Sequence, residues 1–260
     1  MEADGPDRIL LRTFLPSASR QRMARIEVGL RLVSILEPLG DLRIRDLADD
    51  EDWQETWKSH FDLLRVGRRL VIRPTWIEHA PEAGEIVIEI DPGMAFGTGY
   101  HPTTYTCLEA MDQLVRPGMS VLDVGTGSGI LAITAVKLGA ARVVALDIDP
   151  EAIRAARQNF RRTRTAKQVG LSQGTVPHPL AGPEQFDFAV ANISARAVCD
   201  RGPFILSTLR PRGVLIASGL LKTQRHEVVR ILESLGCSLI RQWSQDDWAS
   251  LAFQRGPCQP

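Results

Sequence analysis

Residues 121–131 read VLDVGTGSGIL: an apolar run that reaches an acid, then glycines at alternate positions (Gly125, Gly127, Gly129), then apolar residues again. Nothing else in the chain constrains the fold as tightly. A buried strand can pass into a helix through so short a turn only where side chains are absent and positive φ is tolerated. The helix then offers unpaired N-terminal N–H groups beside a backbone bare enough for a ligand to approach. Glycines at this spacing fit a dinucleotide site, another nucleoside site or a plain tight turn, and do not choose among them.

Two acids narrow the choice. Asp147 closes the next strand, 142–147 (RVVALD), where a carboxylate can accept hydrogen bonds from two ribose hydroxyls. That arrangement serves a nicotinamide dinucleotide equally well. Asp123, just ahead of the glycines, separates the two. It would repel the pyrophosphate of a dinucleotide and attract a ligand that carries an ammonium group. S-adenosylmethionine has that ammonium and a sulfonium and no phosphate, so Asp123, Gly125, Gly127 and Asp147 are read as its binding residues.

From about residue 119 strands and helices alternate: strands at 120–124, 142–147, 186–191 and 213–217, and helices near 129–138, from Pro150, near 195–209 and near 223–235. This rhythm predicts a mostly parallel α/β sheet covered on both faces. The last two strands, 237–243 and 248–254, are too close for a parallel crossover and must pair antiparallel. The first third differs. A strand over 8–14, a helix with Met23, Ile26, Leu30 and Val33 on one face, and a weak strand over 42–47 precede a short helix holding Trp53 and Trp57. Strand-like runs follow at 69–73 and 86–90.

Composition excludes several classes. The 31 basic residues balance 31 acidic ones, which gives no bulk attraction to nucleic acid or to an anionic membrane. No apolar run approaches the ~20 residues of a spanning helix, and the acids of MEADGPDRILL do not suit a signal peptide. Cys107, Cys199, Cys237 and Cys258 are scattered and without metal-ligand spacing, so no metal is expected and a reducing, cytoplasmic setting is. The run of arginines from Arg154 to Lys167 reads as a solvated helix face.

Two further segments carry chemistry. DPGMAFGTGYHPTT (91–104) is a glycine-rich loop able to fold over the donor. Phe96 or Tyr100 could face a sulfonium, and Thr103-Thr104 could cap the helix carrying Cys107 and Met111. FDFAVANISA (186–195) places Asn192 where a strand runs out, on the same sheet edge as Gly125 and Asp147. An amide there can accept from a substrate amine.

Taken together, DPGMAFGTGYHPTT, VLDVGTGSGILAITAVKLGA, LDIDP and VANI closely resemble the family that methylates large-subunit ribosomal protein eleven, over the stretch from DWQETWK (52–58) to LAFQR. The resemblance implies a class I, Rossmann-like, seven-stranded S-adenosylmethionine-dependent protein N-methyltransferase acting on lysine or α-amino groups of that ribosomal protein. It places the donor at Thr104, Gly125, Asp147 and Asn192; Phe96 and Thr98 of the glycine-rich loop are further candidate donor-binding residues. It implies a partial, shortened ferredoxin-like recognition domain over 1–50, linker helix and strands over 51–90, and the methyltransferase domain over 91–260. Ser194 and Arg196 stand where the family often has small or aliphatic residues. The expected partner is the ribosomal protein, with no membrane and no direct nucleic acid required. Asn192 is the expected catalytic positioning group and His101 a candidate proton acceptor. Methylation of another protein or a small amine, and a non-catalytic donor-binding module, are the alternatives.

Overall fold

The computed structural model describes residues 61–91 and 97–257, together with residues 2, 3, 9, 10, 26 and 30. The chain divides into two compact units, Met1–His60 and Phe61–Pro260. In the first, β1 (Glu2–Ala3) pairs antiparallel with β2 (Ile9–Leu10), within the strand expected over 8–14. Ile26 and Leu30 are helical and half-buried, as their four-residue spacing predicts. The strand expected over 42–47 and the helix of Trp53 and Trp57 lie outside the described residues.

The second unit is built on a seven-stranded sheet. Its strands are β6 (Ser120–Val124), β7 (Arg142–Asp147), β8 (Val169–Gln173), β9 (Phe186–Asn192), β10 (Leu209–Leu221), β11 (Cys237–Gln245) and β12 (Trp248–Arg255). They lie in the order β11-β12-β10-β9-β6-β7-β8. Neighbours from β10 to β8 are parallel, whereas β12 runs antiparallel to both β10 and β11, as the short 244–247 connection requires. Sequence reading missed β8, because VGLSQ has only two large apolar residues and a glycine among its five.

Alternation along the strands creates two cores. Val121, Val143, Ala145, Phe188 and Val190 face one side, where α1 (Pro102–Leu114) and α2 (Ile130–Lys137) supply Leu108, Met111 and Ile133, and α3 (Pro150–Arg162) supplies Phe160. Leu122, Val124, Val144, Leu146 and Ala189 face the other, against Val198 and Ile205 of α4 (Ala195–Thr208) and Val228 and Leu232 of α5 (Arg225–Ser234). Because β6 alternates, Asp123 points to the same side as Val121, into the first core.

The first core also receives a small sheet. β3 (Leu64–Val66) pairs antiparallel with β4 (Leu70–Arg73), which pairs in parallel with β5 (Ile86–Glu89). Val66, Leu70, Ile72 and Ile88 are buried with Leu108 and Ile133, so these strands share the compact unit of the large sheet. Asp112 of α1, itself buried, accepts from the Arg68 N–H at 2.8 Å and from Arg69 Nε at 2.9 Å. Arg162 of α3 pairs with Asp91, where β5 leads into the 91–100 loop.

Candidate functional site

The functional groups gather at the carboxyl ends of β6, β7 and β9. Gly125, Gly127 and Gly129 all have positive φ (77°, 56° and 85°), so the turn between β6 and α2 has the left-handed backbone that glycine permits. The turn is hooked to the end of β7: the Gly125 and Thr126 N–H groups both donate to the Leu146 carbonyl, at 2.8 and 3.0 Å. A Cβ on Gly125 would run into the Ile193 side chain, and one on Gly129 would stand 2.5 Å from the Phe160 ring.

The two acids of the sequence argument lie in contrasting surroundings. Asp147 is half-exposed, and its carboxylate accepts from the Gly127 N–H at 2.8 Å and the Asp149 N–H at 2.9 Å. Two backbone donors thus hold it at one orientation with lone pairs to spare. Asp123 is fully buried. Its Oδ2 accepts from the Thr126 hydroxyl at 2.6 Å, while Oδ1 makes no well-aligned hydrogen bond among the described residues. Burial pushes its carboxyl up to about 7 and the Asp147 charge adds to that, while the Thr126 hydroxyl and the Ala132 backbone N–H pull the other way.

Asn192 ends β9 beside them. Its Nδ2 donates to Thr104 Oγ1 at 3.4 Å, and its buried Oδ1 likewise makes no well-aligned hydrogen bond among the described residues. Thr104 is buried in the first turn of α1. The cap of that helix is not the Thr103-Thr104 pair expected from sequence but His101, whose Nδ1 accepts from the Thr103 N–H at 3.3 Å, with Pro102 following at the first helical position. Committing Nδ1 to the cap puts the proton of the neutral ring on Nε2, and burial lowers the imidazole pKa further. The ring also meets Trp248 edge-on, with centroids 5.1 Å apart.

The loop before α1 is tied to the glycine turn. Ser128 donates its hydroxyl to the Gly97 carbonyl, and Asn159 of α3 donates to the Ser128 carbonyl at 2.8 Å. Gly97 has φ 100°, and a Cβ there would stand 2.9 Å from Ser128 Oγ. Thr98 is half-buried in this loop, whereas Phe96 lies outside the described residues. Tyr100 donates its hydroxyl to the Asp62 carbonyl and packs edge-on against Phe61, which accounts for its ring as packing. Ser194 caps α4 by accepting from the Ala197 N–H at 3.3 Å, and Arg196 is 92% exposed beside Asp200.

Sequence reasoning passed over Ile148. It is the most exposed large apolar side chain among the described residues, at 71%, and directly follows Asp147 at the rim. An isoleucine between two acids in LDIDP was the available signal. Among the described residues no cluster of His, Cys, Asp and Glu is suited to a metal ion.

Comparison with known proteins places this geometry in a lineage. The family model "Ribosomal protein L11 methyltransferase (PrmA)" matches residues 16–256. The chain belongs to the ribosomal protein L11 methyltransferase family. A relative of that name from Chloroflexus aurantiacus is 40% identical, covering 95% of this chain and 82% of its own length. Another from Geobacter metallireducens is 46% identical over 80% of this chain and 67% of its own. The crystal structure of a ribosomal protein L11 methylase from Lactobacillus delbrueckii subsp. bulgaricus superposes with a TM-score of 0.68 at 33% identity, covering 75% of this chain and all of that one. The fold is thus that of the class I methyltransferases, whose methyl donor is S-adenosylmethionine. The residues of this L11 methyltransferase family member are compatible with that donor: a fixed carboxylate at Asp147 able to accept from hydroxyls, and two buried oxygens, Asp123 Oδ1 and Asn192 Oδ1, that make no well-aligned hydrogen bond among the described residues and could accept N–H groups.

Proposed function

We propose that this chain transfers methyl groups from S-adenosylmethionine to lysine or α-amino groups of ribosomal protein L11, in the cytoplasm and without direct help from nucleic acid. The observation that carries the reading is a pair of buried oxygens on adjacent strands, Asp123 Oδ1 on β6 and Asn192 Oδ1 on β9, that make no well-aligned hydrogen bond among the described residues. Buried acceptors left so are uncommon in native folds, and an N–H from a ligand would complete each of these two.

In this reading Asp147 holds the two ribose hydroxyls, and Gly125 and Gly127 let the nucleoside approach the backbone. Ile148 gives its base an apolar surface. Asp123 receives the ammonium of the donor, which keeps the carboxylate ionised. Thr104 fixes the Asn192 amide, and Thr98 closes the loop side and excludes water. The bound donor supplies a methyl group already activated on a sulfonium. The protein therefore has to orient the acceptor and keep it uncharged. A lysine amine with a reference pKa near 10.4 loses its proton more readily on entering a desolvated site. Asn192 Oδ1 then accepts one amine N–H and turns the nitrogen lone pair toward the methyl. His101 acts as the cap that sets the first turn of α1, with its Nδ1 unavailable as a proton acceptor.

Incubating the chain with methyl-labelled S-adenosylmethionine and intact ribosomal protein L11, then mapping the label by mass spectrometry, tests the proposal. Label on lysine or α-amino nitrogens of L11 supports it. Label absent from L11 but present on another protein or a small amine rejects the substrate, and absence of donor binding rejects the enzyme.

A further inference from the structure

Asn192 can orient an amine only if the amide itself is fixed, and its single side-chain hydrogen bond among the described residues, 3.4 Å long, is weak for that task. The stronger constraint comes from β10. Ser218 is the register partner of Asn192 across the parallel pair, so the two side chains share one face, the face covered by α1. Three enclosed hydroxyls run from there. Ser218 Oγ lies 2.6 Å from Ser250 Oγ, which lies 2.7 Å from Thr106 Oγ1. The chain ends on the Thr103 carbonyl, 3.2 Å from Ser218, or on the Pro102 carbonyl, 2.9 Å from Thr106. Three hydroxyls have three protons. Run in either direction, the chain can use all three and deliver the last to a carbonyl in the first turn of α1, the turn that carries Thr104, with the Cys107 thiol of the same helix beside both serines.

The next residue acts on the other side of the amide. Gly219 has φ 79° and sits where the β10–β12 register shifts between Ala217 and Leu220. A Cβ there would stand 2.8 Å from the Ile193 carbonyl carbon and closer still to its oxygen. That obstacle is backbone, so it cannot rotate away. Ile193 is also the side chain that Gly125 makes room for.

We propose that Ser218 and Gly219 are the positioning element for Asn192, an inference that rests on the function proposed above. Ser218 locks the helix that holds the amide through Thr104, and Gly219 seats the backbone that leaves β9 after Asn192. Neither touches substrate or donor; both act through the amide. Displacing a reacting group by about 1 Å can lower a rate about 100-fold, which sets the scale of the effect.

The test uses the full chain with labelled donor and ribosomal protein L11. Ser218→Ala is expected to lower kcat by about tenfold and leave the donor Kd within about twofold. In an Asn192→Ala background the same substitution should change kcat by less than about twofold, because the group it acts through is gone. Ser250→Ala should lower kcat by less, about threefold, and Ser250→Thr, which keeps the hydroxyl, should restore it. Gly219→Ala should lower kcat by about 100-fold; if that variant does not fold, the serine variants decide. An unchanged kcat in Ser218→Ala, or the same loss with and without Asn192, overturns the inference. An Asn192→Ala enzyme with full kcat overturns the underlying reading of the site and this inference with it, whereas a reduced kcat there beside an unaffected Ser218→Ala overturns this inference alone.

Discussion

Around the ends of β6 and β7 the rim is held mainly by backbone N–H groups, and around β9 and β10 it is held mainly by side chains drawn from distant parts of the chain. On the first side the Gly125 and Thr126 N–H groups grip Leu146, and the Gly127 and Asp149 N–H groups grip Asp147. On the second side Asn192, Thr104, Ser218, Ser250 and Thr106 reach one another from two strands of the parallel array, one antiparallel strand and a helix. A backbone-built half is preorganised by local geometry and suits the part of a ligand that never changes. A half built from side chains can turn one amide toward an incoming acceptor. The comparison teaches that changes on the first side act on donor affinity and changes on the second act on turnover.

The most severe break of that division is Asp147→Ala. The two charge-assisted hydrogen bonds proposed between Asp147 and the ribose, at about 1.5–3 kcal/mol each, correspond to a donor Kd raised about 100-fold or more by titration calorimetry. A shift below about threefold would take binding away from this side. Next comes Asn192→Ala, expected to lower kcat by about 10- to 100-fold in steady-state assays while the donor Kd stays within about threefold. Equal losses in both quantities would erase the distinction between the two sides.

Asp123 sharpens the comparison by pH. Its carboxyl is raised in the folded chain to about 7, so the stability it contributes to the donor-free protein is present at low pH. That contribution is lost as pH rises from the ordinary carboxylate range through about 7. The melting temperature of the donor-free chain should fall more between pH 5 and 8 than that of Asp123→Asn. Donor affinity should move oppositely. An ammonium selects the ionised form, so the Kd should tighten about fivefold from pH 6 to 7, where the donor's amino group is still mostly protonated, and change far less in Asp123→Asn. Calorimetry at several pH values reads both trends.

The contrast between the two sides also explains what the sequence made legible. Alternate glycines and an acid at the end of the next strand are local signals, so the turn at 125–129 and the position of Asp147 were readable, as were the antiparallel last strands from a connection too short to cross over. Asn192 was placed by its position at a strand end. Its partners were not readable, because Thr104, Ser218 and Ser250 meet only once three strands and a helix have packed, and an isolated Ser or Thr in a strand carries no signal of its own. The helix cap was misplaced by two residues for a related reason: Thr103-Thr104 suits a cap by residue type, but Pro102 takes the first helical position and leaves capping to the residue before it. β8 escaped notice because its apolar content is too sparse for a period to show.

The smallest expected effect belongs to that cap. His101→Ala should cost about 1 kcal/mol of stability, visible as a melting shift of a few degrees, and His101→Asn should recover most of it. The pH profile of kcat should be the same in both variants as in the parent. A lost ionisation in that profile would return His101 to proton transfer and give the second side of the rim a base.

The most direct measurement is a crystal structure of the chain with S-adenosylhomocysteine, the demethylated donor. The account predicts both ribose hydroxyls on Asp147, the amino group within hydrogen-bond reach of Asp123 Oδ1, and the sulfur facing Asn192 Oδ1 across a gap wide enough for an amine. A nucleoside bound with its ribose away from Asp147, or with Asn192 Oδ1 turned from the sulfur, would contradict it.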